Sequence, residues 1–157
     1  MTCLATLFLD FDGVTHPLHC HESKHFSCLP GIESALRKMP EIEVVISSTW
    51  RLQYSLTELR SRFSSDIADR VVGVTPVGVE REFCPDRLLG YPRHAECWEW
   101  MHVNRPYSDA WLAMDDRPFL FRPFFKGLVV TDGRTGAQGA VLSDLLARIR
   151  AMGLSTL

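Results

Sequence analysis

The chain has 157 residues, of which 46% are hydrophobic and 23% are charged, and its formal net charge is −2. This length fits one compact domain, which we predict over residues 1–157, and the composition is that of an ordinary globular protein. The slightly acidic balance argues against tight, nonspecific binding of nucleic acid through charge alone, although it allows a local basic patch.

Short apolar runs alternate with helical patterns along the chain. The runs predict buried strands, and apolar spacings of three and four residues predict helices. In chain order we predict a strand at Leu4–Leu9, a helix over Pro30–Met39, a strand at Val44–Ile46, a helix after the capping-box pattern Ser55–Glu58, a strand at Val71–Val74, a helix over His94–His102, strands at Trp111–Met114 and Leu128–Val130, and a helix through Leu142–Ile149. This alternation predicts a doubly wound, Rossmann-like α/β fold with a parallel sheet of about five strands.

The N-terminus and the cysteines indicate the cellular compartment. The first apolar run has no basic leader and is broken by Asp10 and Asp12, so it does not look like a secretory signal. The five cysteines are scattered and odd in number, and no apolar run approaches the ~20 residues that span a bilayer. We therefore expect a cytoplasmic protein with reduced thiols and no membrane partner.

Polar residues follow three of the predicted strands. Asp10 and Asp12 end the first strand, Ser48 follows the second, and Asp115 with Asp116 ends the fourth. Parallel strands bring their carboxyl ends to one edge of the sheet, where ligands bind. Clustered carboxylates repel unless a cation joins them, and oxygen ligands of this kind suit Mg²⁺. The first acidic pair alone could be a simple turn; the second makes a metal site the better interpretation.

Three segments resemble motifs of the haloacid dehalogenase-like (HAD) superfamily. The first, second and fourth motifs are matched in order by Leu7–Val14, Val44–Thr49 and Trp111–Asp116. Four shorter segments are similar to a small bacterial branch that includes HAD domains of "Swiss army knife" RNA-repair proteins: His16–Pro17, Ser48–Arg51, Gly73–Pro76 and Thr131–Gly136. The resemblance covers nearly the whole chain and implies a HAD-like core with no large cap domain.

The resemblance implies a magnesium-dependent phosphohydrolase. Asp10 would be the nucleophile that forms an aspartyl-phosphate, and Asp12 would protonate the leaving oxygen and then deprotonate water. Asp115 would complete the Mg²⁺ site with the Asp10 carboxylate and the Asp12 main-chain carbonyl, and Asp116 would assist through water. Ser48 would hold a phosphoryl oxygen.

Further substrate contacts are expected around the first two motifs. Ser47 is the alternative to Ser48, because the register is uncertain by one residue, and Thr49 follows them. Gly13 allows the tight turn after the acidic pair. Trp50 and Arg51 could stack on a base and pair with phosphate, although tryptophan is more often a core residue.

The third motif of the superfamily normally supplies a lysine, and here the sequence departs from it. No lysine lies between Lys38 and Lys126. We predict that Arg93, at the head of the helix before the fourth strand, supplies the cation. Arg87 and Arg105 are rivals, and an ordinary surface position for Arg93 is the alternative.

Two segments could cover this edge of the sheet. Histidines and cysteines crowd one of them, namely His16, His19, Cys20, His21, His25 and Cys28. The segment could bind zinc, form a substrate-contacting flap or be a plain loop, and its spacing matches no standard zinc pattern. The stretch from Pro76 to Pro92 is longer than a simple connector and is expected to be a lid, a binding loop or disordered.

An open site without a cap suits a bulky phosphorylated substrate. The partner is therefore expected to be a phosphorylated small molecule or nucleic-acid end, with a mild preference for a nucleotide or nucleic acid from the family resemblance. Two alternatives stay open, namely a catalytically weak binding or regulatory module and a phosphotransferase. The sequence leaves the substrate and the oligomeric state undetermined.

Overall fold

The protein is described by a computed structural model that covers residues 5–152. Its strands are β1 Ala5–Leu9, β2 Ile42–Ile46, β3 Val71–Val74, β4 Trp111–Asp115 and β5 Leu128–Val130. They form one parallel sheet in the order β3-β2-β1-β4-β5, which confirms the predicted fold class. Leu4, the predicted start of the first strand, and Cys3 lie outside the described residues.

Five α-helices accompany the sheet in the described part of the chain. They are α1 Leu29–Arg37, α2 Leu56–Arg60, α3 Ser65–Ala68, α4 Pro92–Asn104 and α5 Ala140–Ala151. The predicted capping box at α2 is confirmed, because Ser55 Oγ accepts the Glu58 amide and Glu58 Oε2 accepts the Ser55 amide. None of the helices in residues 5–152 is both long and apolar enough to cross a membrane.

Both faces of the sheet are covered, as the fully buried β1 requires. Leu7 and Leu9 pack into the larger core cluster, which includes buried residues of α1, α3 and α5. Phe8 points the other way, into a smaller cluster with Cys97 and Trp100 of α4. Side chains that alternate along β1 therefore pack into two cores, one on each face of the sheet. Burying a side chain such as Phe8 stabilises the fold by roughly 1.5–3 kcal/mol.

The strand order creates a topological switch point between β1 and β4. From β1 the chain builds outward through β2 and β3, and it then returns to add β4 and β5 on the other side. Asp10 directly follows β1, and its amide donates to the Met114 carbonyl of β4 at 3.2 Å. Asp115 ends β4, so the sheet itself brings these two carboxylates together at its carboxyl edge.

Candidate active site

Three carboxylates converge at the switch point. One oxygen from each of Asp10, Asp115 and Asp116 lies within 4.8 Å of the others. Asp10 and Asp115 are buried, with 4% and 0% of their surface exposed. Within residues 5–152, no other group of histidine, cysteine or acidic side chains is arranged to hold a metal ion. The strand-end prediction therefore identified the acidic cluster, with Asp116 as a direct member of it.

Arg93 lies between two of these carboxylates. Its Nη1 donates to Asp115 Oδ2 at 2.8 Å and is 3.4 Å from Asp10 Oδ2. Only 8% of its side chain is exposed. The residue is in the first turn of α4, so the start of this helix brings the guanidinium to the carboxyl edge of the sheet. Arg93 therefore lies within the acidic cluster, and its role as the third-motif cation stays a prediction.

The rivals to Arg93 lie elsewhere. Arg105 follows the other end of α4, and its Nη2 pairs with Glu43 of β2 at 2.8 Å. Arg87 is exposed and precedes α4. Because Arg93 is buried and ion-paired, it is not an ordinary surface arginine.

The cluster holds more negative charge than its own cation can balance. Burial, followed by the charge of Asp115, raises the pKa of Asp10 well above its ordinary range, and Arg93 opposes that rise. Burial also raises the pKa of Asp115, again against the effect of Arg93. One guanidinium faces three carboxylates, and a divalent cation would remove the remaining imbalance.

The environment of Asp116 supports such a cation. Its Oδ1 is buried and has no hydrogen-bond partner among the described residues, which is costly for a carboxylate. A Cβ on Gly13 would lie only 2.4 Å from Asp116 Oδ2, and one on Gly133 only 2.9 Å from it. The two glycines thus form a cradle that leaves room for the Asp116 carboxylate. A buried oxygen without a partner, next to two other carboxylates, fits the ligand set of Mg²⁺.

Asp12 has a different environment from the acidic cluster. His16 Nε2 is 2.8 Å from Asp12 Oδ1, and Trp50 Nε1 donates to both carboxylate oxygens at 3.2 Å. The hydrogen bond from His16, with a further contribution from Trp50, lowers the pKa of Asp12. Its side chain is 43% exposed. The carboxylate is thus separate from the metal cluster, and the role expected of its main-chain carbonyl stays a prediction.

The sequence pattern had assigned no specific role to His16, which is 1% exposed. The Phe26 amide donates to His16 Nδ1 at 3.2 Å, so the hydrogen-bond network assigns the proton of the neutral ring to Nε2, facing Asp12. The turn at Gly13 brings the two side chains together, because the Gly13 amide donates to the His16 carbonyl at 2.9 Å. Their spacing of four residues around this glycine was the available sequence signal.

The hydroxyl residues after β2 have two different environments. Ser47 and Ser48 are both buried, and the Ser48 Oγ accepts the Trp50 amide at 3.2 Å. Thr49 is exposed and lines a pocket beside Asp12. The phosphate contacts expected of these residues stay predictions.

The predicted role of Arg51 in substrate binding requires a correction. Its guanidinium donates to the carbonyls of Ser48 at 2.9 Å, Thr75 at 3.1 Å and Pro76 at 3.1 Å, and to Glu96 Oε2 at 2.9 Å. Only 5% of the side chain is exposed. Protein acceptors surround it, so Arg51 braces the loops after β2 and β3 against α4, and the predicted substrate contact does not fit its position.

The histidine- and cysteine-rich segment does not converge on a zinc site. His16 and His25 stack with ring centroids 4.7 Å apart, and Cys28 donates through Sγ to the Thr135 carbonyl at 3.3 Å. The segment lies against Asp12 and contributes residues to two cavities that share this carboxylate. Its position is that of a wall of the site.

The larger of these cavities has a volume of about 780 Å³. Asp12 lines it together with aromatic side chains and one arginine, including Phe26, Trp50, Tyr54 and Arg62. The rings of Trp50 and Tyr54 are 5.4 Å apart, and the Arg62 guanidinium lies 5.6 Å from the Phe26 ring centroid. A planar group bound here would lie beside the Asp12 carboxylate.

Arg117 is a candidate that the motif comparison did not suggest. Its amide donates to Asp115 Oδ1 at 2.9 Å, and its exposed side chain lines the smaller cavity, of about 280 Å³, with Asp12. Its position two residues after Asp115 was the available signal.

Comparison with known proteins agrees with this geometry. No curated protein and no solved structure matches the chain. A family described as the HAD domain in Swiss Army Knife RNA repair proteins matches residues 6–140. The matched stretch runs from β1 to the first residue of α5 and includes the whole acidic cluster. The chain therefore belongs to the family of HAD domains found in Swiss Army Knife RNA repair proteins.

Proposed function

We propose that the chain is a magnesium-dependent phosphohydrolase that cleaves phosphomonoesters through an aspartyl-phosphate on Asp10. The observation that carries this proposal is the division of labour among the acidic residues. Asp10, Asp115 and part-buried Asp116 form an acidic cluster in which Arg93 pairs with Asp10 and Asp115, whereas Asp12 is held apart and opens onto a cavity. Membership of the HAD domain family supports hydrolytic chemistry of this kind.

The two catalytic aspartates act in sequence. An Asp10 oxygen attacks phosphorus, the bond from phosphorus to the leaving oxygen breaks, and Asp12 gives that oxygen a proton. Asp12 then takes a proton from the water that attacks the aspartyl-phosphate, which releases phosphate and restores Asp10. Arg93 offsets the charge on the phosphoryl oxygens, and the Ser48 hydroxyl holds one of them.

The acidic cluster is proposed to hold the metal. The carboxylates of Asp10, Asp115 and Asp116, with the main-chain carbonyl of Asp12, would hold Mg²⁺. When bound, Mg²⁺ offsets charge on the transferring phosphoryl group. Without a cation, Arg93 alone must balance the carboxylates before a dianionic phosphate arrives. Turnover is therefore expected to require the metal.

The cavity beside Asp12 supports a proposal for the substrate class. Asp12 protonates the leaving oxygen, so the rest of the leaving group has to lie on the Asp12 side of the site. The lining of Trp50, Tyr54 and Phe26, together with Arg62, suits a leaving group that carries a planar base, such as a nucleoside or the end of an oligonucleotide. We propose a nucleotide or a phosphorylated nucleic-acid end as the substrate.

The rival interpretation is a HAD-fold binding module that turns over poorly. It rested on the missing lysine, and the ion pairs of Arg93 with Asp10 and Asp115 weaken it. The position and charge of Arg93 suit stabilisation of a transferring phosphoryl group, although arginine is not equivalent to lysine.

The test is phosphate release from nucleotides, phosphorylated oligonucleotides and sugar phosphates. We expect Mg²⁺-dependent turnover that favours nucleoside leaving groups and is lost in Asp10→Asn. Turnover that survives exhaustive chelation, or equal rates with Asp10→Asn, would overturn the activity. A preference for sugar phosphates would overturn only the substrate class.

A further inference from the structure

A second groove, of about 780 Å³, lies along α4 and is not lined by the acidic cluster. Arg93 points to the carboxylates, and the next residue, His94, lines the groove. The lining continues to Arg105, whose partner Glu43 is in β2. From His94 to His102, at about 1.5 Å per residue, the groove follows α4 for about 12 Å.

Positive charge is concentrated in this groove. Arg87, Arg122 and Lys126 line it, all three are exposed, and none forms an ion pair within residues 5–152. Burial, followed by the charges of Arg122 and Arg87, lowers the pKa of His94 to about 4. Asp109 is the one acidic residue among the lining residues of the described chain. The groove is thus cationic although the chain carries a net charge of −2.

Aromatic rings stand beside these cations. Phe124 is 99% exposed, and its backbone is in the left-handed region at φ 63°, which is unfavourable for a bulky residue. The rings of Trp98 and His102 stack with centroids 5.0 Å apart and planes 8° from parallel. An aromatic side chain that is exposed to water at a conformational cost, in the same groove as a stacked ring pair, is expected where a ligand supplies the missing contact.

We propose that this groove binds single-stranded nucleic acid. Exposed rings stack on bases of any sequence, and exposed arginine and lysine side chains pair with the phosphates between them. An acidic peptide would use the cations and leave the rings without a partner. A duplex hides the faces of its bases, so the rings favour a single strand. This binding site is independent of the phosphatase chemistry proposed for Asp10.

The test uses a fluorescent single-stranded oligonucleotide without terminal phosphates, so that the acidic cluster has no phosphomonoester to bind. Its affinity is measured by fluorescence anisotropy for the wild type, for Arg122→Ala/Lys126→Ala and for Lys38→Ala/Arg150→Ala. The control removes the same number of exposed charges, from the C-terminus of α1 and from α5. We expect the groove variant to bind at least about tenfold more weakly and the control to match the wild type. The slope of log K against log salt should become shallower by about 1.4, which corresponds to two lost phosphate contacts.

A second variant tests the rings. Phe124→Gly removes an exposed side chain and places glycine at a φ that favours it, so the fold should be at least as stable. We expect affinity to fall at least about fivefold, the lower range for one lost base stack. Hydrolysis of a small aryl phosphate should be unchanged in every groove variant.

Several outcomes would overturn the proposal. They are no detectable binding by the wild type, equal losses in the groove and control variants, and unchanged affinity in Phe124→Gly. Displacement of the oligonucleotide by polyglutamate as effectively as by unlabelled oligonucleotide would show an unspecific anion site. Equally effective displacement by a nucleoside monophosphate would show a mononucleotide pocket in place of a strand site.

Discussion

At the scale of single residues, Arg93 is the cation that offsets the negative charge of Asp10 and Asp115. We expect Arg93→Ala to lower turnover by roughly 10²- to 10³-fold, the range for losing one preorganised electrostatic donor. Arg93→Lys should recover part of that loss. Without metal, Arg93→Ala should also lower the free energy of unfolding by about 3 kcal/mol, because Asp10 and Asp115 lose a buried partner.

Steady-state kinetics and chemical denaturation in chelator check this prediction. Arg87→Ala and Arg105→Ala are the matched controls, and both should keep turnover of a small aryl phosphate near the wild-type rate. A normal rate in Arg93→Ala, or a rate loss confined to one of the controls, would contradict the position given to Arg93.

We predict that His16, through its hydrogen bond to Asp12, positions that carboxylate for proton transfer. His16→Gln keeps a donor side chain and His16→Leu removes it, so we expect the leucine variant to lose turnover by at least ~10-fold and the glutamine variant to lose less. The decisive readout is the leaving group. Alkyl phosphates, which need a proton, should suffer more than nitrophenyl phosphate, and His25→Gln should show no such difference. Equal losses for both leaving groups would indicate a purely structural role.

At this scale the sequence identified the carboxylates that meet at the strand ends, and their catalytic and metal-binding roles stay predictions. Asp10, Asp115 and Asp116 meet because parallel strands end at one edge of the sheet. Arg51 could not be assigned in this way, because its partners are main-chain carbonyls of loops whose course no local pattern describes. The bond from Trp50 to Asp12 joins residues 38 positions apart, and it was missed for the same reason.

At the scale of elements, the glycine in the turn after β1 leaves room for the Asp116 side chain. Gly13 and Gly78 both have a positive φ, of 80° and 76°, but only at Gly13 does a Cβ meet a neighbour. Gly13→Ala and Gly78→Ala should therefore share a backbone strain of about 1 kcal/mol, and only Gly13→Ala should displace Asp116. Titration calorimetry with Mg²⁺ should show at least about tenfold weaker binding for Gly13→Ala alone. Equal metal affinity in the two variants would refute the cradle.

The first turn of α4 links stability to pH through His94, which is 7% exposed and whose Nδ1 accepts the Arg122 amide. Its pKa is about 4 in the folded protein and about 6.5 when unfolded. The unfolded chain therefore takes up the proton first. We therefore expect the contribution of His94 to stability to be constant above about pH 6.5, to fall by about 3 kcal/mol as pH drops to about 4, and to level off below that.

His94→Gln keeps an acceptor but does not titrate, so its stability should fall less steeply across this window. Urea denaturation at closely spaced pH values measures the difference between the two proteins. Parallel curves for the wild type and the variant would contradict the assignment.

Elements were predictable where a pattern was long enough. The capping box of α2 and the apolar stripe of α5 are local signals, and both helices are present. The helix α3 was not predicted, because its four residues bury Ile67 alone and offer no periodicity. The stretch from Pro76 to Pro92 contains two short 3₁₀ helices, and a tertiary bond from the Gly78 amide to Glu96 joins its first part to α4.

At the scale of the whole molecule, one parallel sheet and its helices support two separate candidate sites, the acidic cluster and the cationic groove. The switch point between β1 and β4 holds the acidic cluster, and α4 has Arg93 on that side and the cationic groove on another. The fold class and the cluster follow from alternating strands and helices. The groove could not be predicted, because its residues come from α4, the loop before it and the segment after β4, and they meet only in three dimensions.

The central claim is that a phosphoryl group is transferred to Asp10, and trapping the aspartyl-phosphate intermediate tests it most directly. With nitrophenyl phosphate and Mg²⁺, Asp12→Asn should still transfer the phosphoryl group, because this leaving group needs no proton, and should then hydrolyse it slowly. Intact-mass spectrometry should show a single phosphoryl group that is labile to hydroxylamine. Mass spectrometry after digestion should locate that group on the peptide that contains Asp10. The double variant Asp10→Asn/Asp12→Asn should show none. Phosphate release without any phosphorylated protein, or a phosphoryl group that persists in the double variant, would contradict the account.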